Sequence, residues 1–202
     1  MLFARRALKR KSSRASLTFF DSRTEEVHQM PETPQQYIDR ILGNVKGQDA
    51  LKVQAATPKK LERFMKGVPV AKLRKRPAPG KWSAGEIITH LADCEIVTAW
   101  RLRQILAAPG TPIQAFDQDS WAGAGHYDKR DARKSLAFFC AAREANLDLL
   151  KSLTPEQWKH HGMHAERGVE TVEHIVRLMA GHDVNHLGQV ERLVSTKAKK
   201  TS

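Results

Sequence analysis

Cysteine is scarce, with only Cys94 and Cys140 in 202 residues. Two cysteines cannot build the disulfide framework of a small secreted domain. Both fall within helical patterning rather than loops, so a reducing cytoplasm is the expected compartment. The sequence also lacks any apolar run near the roughly 18 residues of a membrane span, and no apolar central segment of a secretory signal follows its start. No membrane association is expected. Aromatics make up only 6% of the chain, and no aromatic-plus-basic motif of a nucleic-acid module accompanies its charge. Alternating strand patterns and internal repeats are missing too, which argues against a β-sandwich, a barrel or a solenoid.

What is present begins with charge. The formal net charge is +12, but much of it lies at the ends. Residues 1–29 hold seven Lys/Arg against three Asp/Glu, and Lys197, Lys199 and Lys200 crowd the other terminus. The remainder is mild for its length and reads as a solvated basic surface, so nucleic acid is not the expected partner. The Arg- and Ser-rich start, with no acid before Asp21, has the look of an organellar transit peptide. However, "PETPQQYIDRILG" follows Met30 and opens an amphipathic pattern, so residues 1–29 read as a disordered basic extension or an overcalled start. The expected organisation is one domain over 30–196 and a basic tail over 197–202. At 41% hydrophobic and 28% charged residues, the composition suits a packed globular fold rather than a disordered chain.

Apolar residues recur at helical spacing almost throughout, which predicts an all-α fold. A first helical region runs from Pro34 to Lys66 and is expected to break at Thr57-Pro58, since Thr caps well and Pro suits a first turn. "GVPVAKLRKRPAPGKW" then reads as a linker. "SAGE", Ser83 to Glu86, is a capping box that should start a second helix reaching Ala107, where "APGTP" stops it. A long connection spans 108–130, and a third helix is expected from Asp131 to Ser152. "TPEQW" suggests a short extra helix, "HHGMHAERGVE" a loop, and Thr171 the cap of a last helix reaching Ser195. Four main helices with one long crossover between the second and third fit a four-helix bundle.

In the last helix the inward stripe is Val172, Ile175, Met179, His182, His186, Val190 and Leu193, so two histidines take core positions. Buried imidazoles need partners, and an unpaired buried polar group costs about 1–3 kcal/mol. A metal would satisfy both, because histidines at i and i+4 can converge on one point. Such a pair is weak evidence by itself: nine histidines scattered at random would supply about 0.4 such pairs. On the second helix the face through Ile87, His90, Leu91, Cys94 and Val97 also carries a histidine where a core residue belongs. His90 supplies the third ligand that a pair lacks, and three imidazoles leave coordination positions open, as in catalytic rather than structural sites.

"PAPGKWSAGEIITHLADCE" (77–95), "DQDSWA" (117–122), "REANLDLLKSLTPEQW" (143–158) and "TVEHIVRLMAGHDVNHLGQVERL" (171–193) together resemble the DinB-like, or DinB/YfiT, superfamily of metal-dependent enzymes. That resemblance implies a four-helix bundle, commonly a homodimer, with a divalent metal on His90, His182 and His186. Zn²⁺ is the first candidate, and Ni²⁺, Mn²⁺ or Fe²⁺ also suit imidazole ligands. It further implies a small-molecule substrate and, by analogy with related transferases and isomerases, a low-molecular-weight thiol as co-substrate.

The general base stays unassigned. Asp183 takes the slot of Glu in His-Glu-x-x-His metalloproteases, but its shorter side chain reads better as a partner of a ligand or a surface charge. Asp93, Glu95 and Asp183 are candidates to orient the histidines. Gln189 reads as an interhelical polar contact and Cys94 as a small buried hydrophobe. Trp82, Trp100, Trp121 and Trp158 read as core or pocket wall, while His126, Tyr127 and His164 either roof the site or lie on the surface. Two functions follow: a metal-dependent enzyme activating a thiol or water, S-transferase-like or hydrolase-like, or a non-catalytic helical module binding a partner or nucleic acid through its basic surface.

Overall fold

A computed structural model describes residues 32–195; the extension over 1–29 and the tail over 197–202 lie outside the described residues. The elements in chain order are α1 (Pro34–Gly43), α2 (Ala50–Met65), α3 (Val70–Arg74), α4 (Ala84–Ala107), β1 (Pro112–Ile113), α5 (Gln118–Ala124) and α6 (Ala132–Lys151). A short 3-10 turn (Gln157–Lys159), β2 (His161–His164), β3 (Gly168–Thr171) and α7 (Val172–Val194) complete them. Helices α2, α4, α6 and α7 pack against one another as a four-helix bundle, with α1 laid on α7. The crossover containing β1 and α5 joins the second and third bundle helices, as the sequence predicts. No helix among the described residues is long and apolar enough to cross a membrane.

Caps define the bundle helices. Ser83 accepts from the Glu86 N–H at 3.3 Å while the Glu86 carboxylate accepts from the Ser83 N–H at 2.8 Å, so "SAGE" starts α4 as expected. Asp131 caps α6 and Thr171 caps α7. The first region departs from expectation. Its break lies between Gly43 and Ala50, at a turn where Gly47 adopts φ +74°, and Pro58 sits inside α2. A proline there cannot bond to the carbonyl four residues back. That carbonyl, on Gln54, accepts instead from Arg143 Nη1 at 3.1 Å, which removes one cost of the proline and lets the helix continue.

The supposed linker contains α3, and the supposed loop after the 3-10 turn is a hairpin. β2 pairs antiparallel with β3 and parallel with β1, giving a small sheet in the order β1-β2-β3. The inward positions of its two longer strands include His164 and Glu170, while Met163 and Val169 face solvent. With polar residues inside and apolar ones outside, no strand pattern is visible.

Two apolar clusters fill the bundle. One includes Leu61, Leu73, Ile88, Leu91, Phe139 and Val190; the other includes Leu102, Ile105, Ile113, Leu150, Val172 and Ile175. Along α4 and α7 a layer of buried polar side chains lies between them. Gly181 lets α1 reach that layer: a Cβ there would stand 2.0 Å from the Ile41 carbonyl oxygen.

Candidate metal centre

His90 projects from α4, and His182 and His186 project from successive turns of α7. All three are buried. His182 Nε2 lies 3.1 Å from His90 Nε2 and 3.0 Å from His186 Nε2. Among the described residues, these are the three whose donor atoms lie within 4.8 Å of one another. The stripe on α7 and the single histidine on α4 thus meet as the sequence predicts.

The donor set fits a divalent cation. Gln189 Oε1 stands 2.7 Å from His186 Nδ1, so that ring donates from Nδ1 and turns a bare Nε2 lone pair inward. Around a tetrahedral ion with bonds of 2.0–2.1 Å, donor nitrogens stand about 3.3 Å apart, within a few tenths of an ångström of the spacing found. Proton sharing is a poor alternative. Wherever His182 carries its proton, its Nδ1 is buried without a partner. Burial, with the neighbouring His186, pushes His90 down to about 3; burial likewise lowers His182 and His186. All three stay neutral near pH 7, the state in which imidazole binds metal.

Aromatic rings close the site. The Trp82 ring lies 4.9 Å from that of His90, and Phe116 stacks on His90 at 6.3 Å. Trp121 meets Phe116 edge-on at 4.7 Å, so the crossover forms a roof. A cavity of about 540 Å³ opens beside His186, walled by Trp82, Ile87, Gln189 and Leu193 among others.

The candidate carboxylates go elsewhere. Asp93 accepts from the Tyr127 hydroxyl at 2.6 Å. Glu95 and Asp183 both accept from Arg143, at 2.7 Å and in a second, bidentate pair. None of the three bonds to an imidazole. Asp183 is fully buried rather than a surface charge; one residue past His182, it is turned about 100° around the helix and faces Arg143. Gln189, read as an interhelical contact, is instead the residue that orients a histidine. Its spacing of three from His186 on a helix is the signal that could have marked it.

Cys94 Sγ is 3.5 Å from His90 Nε2, but the cysteine lies outside the convergent set. Burial, then Glu95, pushes its thiol pKa up. His164 is buried in β2, where its Nδ1 accepts from the Glu166 N–H; His126 is exposed. Trp100 is 63% exposed, against its reading as core or wall.

Residues 55–190 match the DinB superfamily. The chain belongs to that superfamily. It is 23% identical over 144 residues to "Putative metal-dependent hydrolase YfiT" of Bacillus subtilis (strain 168), covering 71% of this chain and 81% of YfiT. It is 25% identical over 118 residues to the similarly named OB0782 of Oceanobacillus iheyensis, covering 58% of this chain and 68% of OB0782. The solved structure of the B. subtilis YfiT, described as an unusual four-helix bundle topology, superposes with a TM-score of 0.66 at 22% identity, over 80% of this chain and 87% of that one. The likeness in fold agrees with the four-helix bundle.

Proposed function

We propose that the protein is a metal-dependent hydrolase of small molecules, with one divalent ion held by His90, His182 and His186. The observation that carries this reading is the convergence of three neutral, buried imidazole nitrogens beside an open cavity. The hydrolase names of its relatives support the reaction class. Held by these three histidines, a divalent ion would supply acidification of a bound water or thiol and polarisation of a carbonyl or phosphoryl oxygen.

The chain's own residues prepare the site. Gln189 fixes the tautomer of His186, while Trp82, Phe116 and Trp121 exclude bulk water from the histidine face. His186 borders the cavity and gives a substrate its approach. Zn²⁺ is the proposed ion, with Ni²⁺, Mn²⁺ and Fe²⁺ as competitors. A low-molecular-weight thiol is the alternative nucleophile, which would make the reaction an S-transfer. The proposed assembly is a homodimer; Ile96, Trp100 and Phe138 are exposed apolar side chains that a second copy would cover.

Elemental analysis of the purified wild type beside His90→Ala tests the centre. About one divalent ion per chain is expected in the wild type and a small fraction of that in the variant. Full metal in His90→Ala, or a wild type whose melting temperature does not respond to added Zn²⁺ or Ni²⁺, overturns the assignment. Ester, amide and phosphoester panels, run with and without thiol, then separate hydrolysis from S-transfer. Sedimentation velocity reads the assembly, and a monomer at micromolar concentration removes the dimer.

A further inference from the structure

The cavity beside His186 has two cations on its wall, Lys81 from the segment preceding α4 and Arg192 near the end of α7. Neither makes an ion pair among the described residues. One acid, Asp119 of α5, lines the same cavity, leaving the wall with one net positive charge. A concave, partly apolar surface of net positive charge favours a bound anion. One net charge suits a monoanion better than a dianion, so a carboxylate fits better than a phosphate monoester.

Arg192 stands six residues beyond His186 on the same helix, and its Nη1 turns back toward Gly188, 3.4 Å from where a Cβ there would lie. Trp82, Ile87 and Leu193 lie on the same cavity wall and offer apolar surface. Lys81 adjoins Trp82, whose ring packs on His90, so the loop side of the cavity also runs from a cation to a histidine.

We propose that the substrate is a small monocarboxylate, its anion held by Lys81 and Arg192, a short apolar stretch lying on Trp82 and Leu193, and its reacting bond turned toward His186. The position of the reacting end rests on the metal reading given above; the anion preference does not.

Suberic acid monohydroxamate and its methyl ester test both parts by calorimetric titration of the metal-loaded protein. The hydroxamate is a metal-binding head, and a flexible methylene chain lets the carboxylate reach the two cations. The acid is expected to bind about tenfold more tightly than the ester. In the double variant Lys81→Gln/Arg192→Gln the two should bind equally, with metal content and melting temperature unchanged because both side chains are exposed. Equal binding of acid and ester by the wild type, or a preference that survives the double variant, overturns the proposal. The same pair without the metal-binding head, octanoic acid and its methyl ester, isolates the anion clamp. If the hydroxamates gain nothing over these, the metal reading fails, while the acid-over-ester preference still decides the clamp.

Discussion

Two polar clusters share the middle of the bundle and differ in how far the protein itself satisfies them. In the first, Arg143 from α6 sits between Glu95 of α4 and Asp183 of α7, all three nearly inaccessible to solvent. Asn146 adds a bond to Glu95 at 3.0 Å. In the second, on other faces of the same two helices, His90, His182 and His186 aim ring nitrogens at one another with no acid or amide between them. The first cluster pairs opposite charges and satisfies both terminal nitrogens of Arg143, leaving only its Nε buried without a partner. The second gathers like groups whose lone pairs converge, and it calls for a cation. A buried polar cluster that is already satisfied points to architecture; one that is not points to a ligand.

Breaking the first cluster should give the largest effect. Burial alone would depress Arg143, but the two carboxylates outweigh it and hold its pKa above the usual arginine range. Arg143→Met leaves two buried acids unpaired and takes a hydrogen bond from the Gln54 carbonyl beneath Pro58. A loss of about 3–5 kcal/mol is expected, as for removal of one partner from a buried ion pair, measured by urea unfolding. A loss under 1 kcal/mol would mean the cluster is solvated and the comparison is mistaken.

This cluster was also the least legible part of the sequence. Glu95, Arg143 and Asp183 look like ordinary charges on helices, and nothing local says that residues 40 and 48 positions apart will meet. The persistence of α2 through Pro58 has the same origin, a donor 89 residues downstream of the Gln54 carbonyl. The hairpin hid because its strands have four residues each, too few for a period to show. By contrast, the limits of α4 were readable because "SAGE" and "APGTP" act locally, and the histidines because each replaces an apolar residue in a regular stripe. Local caps and periodicity survive in one dimension; pairings across the bundle do not.

Acid should separate the clusters by an intermediate amount. The folded chain holds His90, His182 and His186 below their ordinary pKa of 6.5, His90 at about 3, whereas the unfolded chain takes up protons as pH falls through that value. The unfolded state therefore gains, and stability is full above about 6.5 and lost progressively below it, by up to about 1.4 kcal/mol per histidine per pH unit. Metal is lost in the same direction, because protons compete for the same nitrogens. Urea midpoints of the chelator-treated protein at pH 7.5 and 5.0 should fall steeply, and less so in His90→Gln. An equal fall in both proteins would place the acid sensitivity outside the histidine cluster.

The smallest change tests how the unsatisfied cluster is held ready. Gln189 touches His186 through Nδ1, on the side of the ring away from the other histidines, so it contributes no donor to the centre. Its expected role is to keep the proton on Nδ1 and the lone pair on Nε2. Gln189→Leu keeps the volume and removes the acceptor. Metal affinity should fall about 10- to 100-fold, the usual consequence of deleting a hydrogen-bond partner of a ligating histidine, while the urea midpoint of the metal-free protein moves little. Gln189→Glu should restore affinity, since a carboxylate accepts the same Nδ1–H more strongly. Competition titration with a chromogenic chelator reads all three proteins. If Leu and Glu bind metal as the wild type does, His186 is oriented by packing alone, and the contrast between the two clusters rests on their first ring of contacts.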